Sequence, residues 1–325
     1  MGAGPGLAVL TPATRDYAFG GTRLARYGKA AGGRLAETWE FSVYPDRMSR
    51  LRDGETLDAH LERAWGMDAG ARAGLPLVKL LDVAGELPVH VHPTDAQARA
   101  LPGPDPGKDE AWLILEAGPA AVVYLGFERP LDADETLAAV RAGTLREHMR
   151  RVAVHAGDVV MVPAGTPHAA RAILFWEVQQ TSDRSLLAEA VDLWDGPLPE
   201  ATVEAQVRAF CDHVRTTPTP AGLHVAGALA PGRVGAGGPL AGCDHFVMAT
   251  VALNAPRTLP PGAYTVLAGA VAGDPGAPPG ATFLIGPDGQ SVTPAGPGTL
   301  LGRAWRPDAA DDAALRALGR RFEGG

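Results

Sequence analysis

The residues best able to do chemistry sit in the stretch GELPVHVHPTD, 85–95, where His90 and His92 lie one residue apart in an apolar run that Pro93 ends. On a strand, residues two apart project from one face. The two imidazoles would then stand side by side, with Val89 and Val91 on the opposite face. Paired imidazoles suit zinc, iron, nickel or copper, although the spacing alone also fits two exposed or hydrogen-bonded histidines. An ionised carboxylate would complete such a ligand set and lower its net charge. Glu110, in GKDEAWLILE, opens the next apolar segment; Glu116, Glu128 and Glu177 compete with it, and Glu177 in LFWEVQQ is the best placed of these.

Lysine usage adds a second pointer. Of 29 basic residues only three are lysines, Lys29, Lys79 and Lys108. Arginine stays charged at any accessible pH, whereas a lysine amine can be tuned to release its proton. A lysine kept in a chain that otherwise writes arginine is therefore a candidate for work that arginine cannot do.

The segment GDVVMVPAGTPH, 157–168, supplies a third imidazole. It matches G-x5-P-x-G-x2-H, the second motif of the cupin superfamily, position by position. Pro163 and Gly165 shape a tight bend, after which His168 is the next residue able to aim inward. His90, His92 and His168 would thus supply three metal ligands from two strands of a jelly roll.

The longer string LPLVKLLDVAGELPVHVHPTDAQA, GKDEAWLILEAGP and RVAVHAGDVVMVPAGTPHAARAILFWEVQQTSD resembles class I mannose-6-phosphate isomerase in its short bacterial form, over roughly residues 11–194. DYAFGGTRLARYGK and AETWEFSVYP fit the same family. The resemblance implies a zinc-dependent aldose–ketose isomerase that interconverts mannose 6-phosphate and fructose 6-phosphate, with one zinc ion per chain. The family's ligands are Gln, His, Glu and His; the last three fall on His92, Glu110 and His168, while His90 stands where the family has glutamine. Imidazole is a stronger and softer donor than an amide oxygen, so the exchange bears on metal identity and on how electrophilic the ion remains. Lys108 falls on the family's active-site lysine. The family's active-site arginine falls on Leu187, with Arg184 three residues earlier and Arg171 as the other nearby guanidinium. Losing such a clamp without a substitute lowers catalysis by several orders of magnitude, so Arg184 is the candidate replacement. The alternatives are an isomerase of another aldose or aldose phosphate, and a non-catalytic metal-binding cupin that senses a sugar or sugar phosphate.

The elements that must position these residues read as mostly β. Short apolar runs punctuated by Gly and Pro predict strands at 38–43, 76–83, 87–91, 111–115, 121–125, 159–162 and 173–178, then at 246–251, 264–271, 282–285 and 300–303. Helical spacing is found at 55–72, 132–151, 198–215 and 309–321. The expected fold is all-β: a cupin jelly-roll barrel over 1–196 with helical insertions at about 55–72 and 132–151, a helix and linker over 197–220, and a smaller β domain over 221–325.

Composition narrows the class of partner. The formal net charge is −8 with no long basic run, which argues against nucleic acid and anionic membrane as partners. Two cysteines leave no disulfide framework. The opening MGAGPGLAVL has neither Lys nor Arg and too short an apolar core for a signal peptide. A cytoplasmic monomer or homodimer acting on a small sugar phosphate is expected.

Overall fold

The computed structural model describes residues 7–29, 33–194, 196, 198–229, 237–273 and 276–322; the opening MGAGPG, read above for a leader, lies outside them. Strands dominate, and every pairing within the two large sheets is antiparallel among the described residues. The all-β expectation holds.

One sheet carries the candidate ligands. Its centre is three long strands, Glu110–Phe127, His168–Gln179 and Leu77–Val91, in that order. Val159–Val162 flanks them on one side and Glu37–Phe41 on the other, with the short strands His224–Val225 and Ala13–Arg15 at the edges. The segments expected as separate strands at 76–83 and 87–91 are one bent strand, as are those at 111–115 and 121–125. Register slips between Val83 and Glu86 and between Ala117 and Val122 let each strand bend without ending.

The helical expectations were too long, for a local reason. Gly66 in the left-handed region ends Leu57–Trp65, and a new helix, Ala69–Ala73, starts on the Asp68 cap. Gly143 likewise ends Ala133–Ala142, after which the chain returns as the strand Met149–Ala153. The later helices run Glu200–His213 and Ala309–Ala317.

The second sheet is built mainly from the C-terminal strands Gly238–Gly242, Val247–Leu253, Gly262–Ala268, Thr282–Ile285 and Thr299–Trp305. Ala8–Thr11, from the start of the described chain, pairs with Thr282–Ile285 in this same sheet. Trp112, Phe175 and Trp176 of the first sheet share one buried cluster with Leu240, Met248 and Ala304 of the second. Burying that apolar surface is the main force holding the two sheets together.

Candidate metal centre and its cavity

His90 lies opposite His168 across the central strand pair, and Val89 and Val91 turn to a separate apolar cluster with Phe127 and Ala169. The alternation expected from the sequence is therefore present. The bend before His168 is held by the backbone: the Gly165 N–H donates to the His92 carbonyl at 2.7 Å, and Gly165 adopts a φ of 83° that side chains disfavour. Glu110 begins its strand beside a tight crossing, where a Cβ on Gly107 would come within 2.4 Å of the Asp95 nitrogen. Only glycine allows that approach, and it delivers Lys108 and Glu110 to the same centre.

Each imidazole is fixed through Nδ1. His90 Nδ1 lies 2.8 Å from the Pro88 carbonyl, His92 Nδ1 2.8 Å from the Arg184 carbonyl and His168 Nδ1 2.9 Å from the Thr166 carbonyl. A carbonyl can only accept, so Nδ1 carries the proton and Nε2 presents a bare lone pair. The three rings can bring one ligand atom each within 4.8 Å of the others. His92 Nε2 and His168 Nε2 each stand 3.2 Å from a Glu110 oxygen. Both nitrogens and both carboxylate oxygens are buried without a hydrogen-bond partner. Lone pairs facing an anion in a dry interior are costly, and a cation between them removes the cost. The residues fit a divalent metal.

The protonation states agree. Burial pushes His90 well below its ordinary range, with His168 and His92 adding to the effect. Burial and the Lys108 ammonium push His92 down to about 3. Burial opposes the charged form of Glu110, yet Lys108, at 3.1 Å, and His92 hold its pKa well below the carboxylate range. Neutral imidazoles and an ionised carboxylate are the forms that take up metal without first losing a proton.

Beside the centre lies a cavity of about 140 Å³. One wall is a row of side chains set by strand register: Lys79, Glu177 and Trp112 are successive cross-strand partners, with Trp39 next in the row behind Lys79. The Lys79 ammonium sits 4.2 Å from the Trp39 ring centre and 3.7 Å from Glu177, and Trp112 Nε1 donates to Glu177 Oε1 at 3.0 Å. Burial and the nearby Glu110 charge raise Glu177 to about 7. Burial works against the Lys79 charge, but Glu37 and Glu177 together hold its pKa above the ordinary value. The rest of the lining is largely apolar, with Phe19, Leu87, Leu187 and Leu193, and includes Tyr17, Asp183 and Ser185.

His90, His92, Glu110, His168 and Lys108 thus come together as the sequence suggested. Arg184 reaches the centre through its carbonyl only; its guanidinium turns away to the Pro102 carbonyl at 2.7 Å. Arg171 and Glu116 are drawn into ion pairs away from the cavity, with Glu86 and Arg26, and Glu128 is exposed. Leu187 does line the cavity. Sequence reading missed Glu37, Trp112 and Asp183, weighed Glu177 only as a ligand, and noticed Lys79 only for its rarity. A charged residue inside an otherwise apolar strand, as in LVKLL and FWEVQ, was the available signal.

No family model matches the chain. In sequence it is 33% identical over 181 residues to mannose-6-phosphate isomerase ManA of Bacillus subtilis, covering 53% of this chain and 57% of that protein. It is 32% identical over 155 residues to mannose-6-phosphate isomerase of Streptococcus mutans, covering 45% and 48%. The chain thus spans about half the length of the curated relatives it matches. In structure, the mannose 6-phosphate isomerase of Bacillus subtilis superposes with a TM-score of 0.74 at 21% identity, over 92% of this chain and 99% of the other. A mannose 6-phosphate isomerase solved with bound zinc and yttrium gives 0.68 at 19% identity, over 94% and 100%. Over about half its length in sequence, and over nearly all of it in fold, the chain is similar to mannose-6-phosphate isomerases.

Proposed function

We propose that the chain is a metal-dependent aldose–ketose isomerase that interconverts mannose 6-phosphate and fructose 6-phosphate, the reaction for which its relatives are named. The observation that carries the metal is the set of bare Nε2 atoms facing the Glu110 carboxylate at 3.2 Å. His90, His92, His168 and Glu110 would hold a zinc ion, which supplies Lewis-acid pull on the open-chain sugar's carbonyl. Glu177, buried on the cavity wall with a pKa of about 7, takes the proton from C2 and returns it to C1. Lys108, 3.1 Å from Glu110, holds the oxygen on which negative charge develops. Arg184 acts through its carbonyl, which sets the ring of His92. The apolar wall keeps water from the enediol.

His168→Ala and Glu110→Ala test the reading when metal content by mass spectrometry is measured alongside a coupled isomerase assay. Both variants should lose bound metal and turnover together. Full activity in a metal-free variant would sink the proposal.

A further inference from the structure

The charge around the cavity is spent internally. Glu37, Glu110, Glu177 and Asp183 line it against Lys79 and Lys108, so four carboxyl groups face two ammonium groups. That leaves two negative charges, or one once Arg47, paired with Asp183, is counted; a divalent ion at the imidazoles cancels them. Each cation is already engaged. Lys108 lies 3.1 Å from Glu110, and Lys79 lies 3.6 Å from Glu37 and 3.7 Å from Glu177. Arg47, just outside, pairs with Asp183 and lies over Trp39 at 5.0 Å. Among the described residues no guanidinium lines the cavity, and much of the remaining lining is apolar, from Phe19, Leu87, Leu187 and Leu193.

A phosphate ester carries nearly two negative charges at neutral pH. Bringing it into such a cavity strips its water and offers no unspent cation in return. A neutral sugar needs only hydroxyl partners, which Tyr17 and Ser185 offer, and an apolar surface for its carbon face. We infer that this site takes an unphosphorylated aldose in preference to its phosphate ester. The inference rests on the isomerase reading and replaces the phosphate ester named there with the free sugar as the preferred substrate. The chemistry is unchanged: hydrogen leaves C2 and arrives at C1, the O2 proton passes to O1, and no co-reactant is consumed.

The test compares kcat/KM of the metal-loaded protein for mannose and for mannose 6-phosphate. The neutral sugar should lead by about tenfold or more, a difference in transition-state binding. A lead of that size for the phosphate would overturn the inference and leave the isomerase reading standing. Turnover of neither sugar would defeat the isomerase reading. Calorimetry with mannitol and mannitol 6-phosphate then decides the inference: tighter mannitol binding upholds it, and tighter binding of the phosphate ends it. Leu187→Arg, which places a guanidinium on the apolar wall, should move the kcat/KM ratio toward the phosphate by at least about tenfold. If that variant misfolds, the wild-type ratio stands as the test.

Discussion

At the scale of the residue, the centre depends on where three protons are not. Nδ1 of each histidine gives its proton to a backbone carbonyl, so Nε2 can only accept, and those of His92 and His168 face a carboxylate that can also only accept. Residue type and spacing made the three imidazoles and Glu110 legible, because alternation on a strand and the bend at Pro163–Gly165 are local. The role of the Arg184 carbonyl was not legible, since a side chain announces itself in sequence and a carbonyl does not. Glu177 gives the sharpest test at this scale. Replacing it by glutamine keeps its size and its bond from Trp112 but removes the base, so kcat should fall by about 10² to 10⁴ with metal content unchanged. In wild type the base must be ionised, so activity rises with pH on a limb that Glu177→Gln lacks; a bound divalent ion moves that limb below 7. Stability runs the other way in metal-free protein. The folded pKa is raised, so the contribution is present at low pH and is lost as pH climbs through about 7. Thermal melts of metal-free wild type and Glu177→Gln across pH 5–8 should therefore diverge, with the variant flatter; parallel profiles would remove Glu177 from the account.

At the scale of the element, glycines decide more than the apolar pattern does. Gly66 and Gly143 cut helices that the spacing of leucines would have continued, while the Gly85 and Gly118 regions were read as breaks yet sit within continuous strands. The difference lies in backbone conformation: Gly66 and Gly143 have positive φ and stop a helix, whereas Gly85 and Gly118 do not. Gly165 is the functional case, because its amide clamps the His92 carbonyl from a left-handed conformation. An alanine there meets no close neighbour, the nearest atom being 3.6 Å away, so its cost is conformational, about 1–2 kcal/mol. Gly165→Ala should lower the denaturation midpoint by that amount and weaken metal affinity, because the strain relaxes by pulling the loop from His92. Titration with a chromophoric chelator measures the second effect; unchanged affinity would show that the loop does not set the ligand.

At the scale of the whole molecule, the sheet that carries the candidate site is braced from behind. Glu37 lines the cavity, while Thr38 and Glu40, further along the same strand, join a buried network with Lys29 and Thr282 of the second sheet. All three lysines therefore end beside glutamates, which their rarity alone could not foretell. Nor could sequence show that Ala8–Thr11 pairs with a strand some 270 residues later, because antiparallel register between distant segments leaves no local trace. The bracing is tightest where Gly302 meets Trp176, the residue before Glu177. A Cβ on Gly302 would lie 2.7 Å from the buried indole, which must shift or force the sheets apart. Overpacking of this kind costs about 1–3 kcal/mol. Gly302→Ala should thus be destabilised by that amount and should alter the indole fluorescence, while Gly286→Ala, with no atom within 4 Å, should stay within about 0.5 kcal/mol of wild type. If Gly302→Ala also lowers kcat with metal content intact, the seam holds Glu177 in place as well as the two sheets together; an unchanged kcat would confine its role to stability.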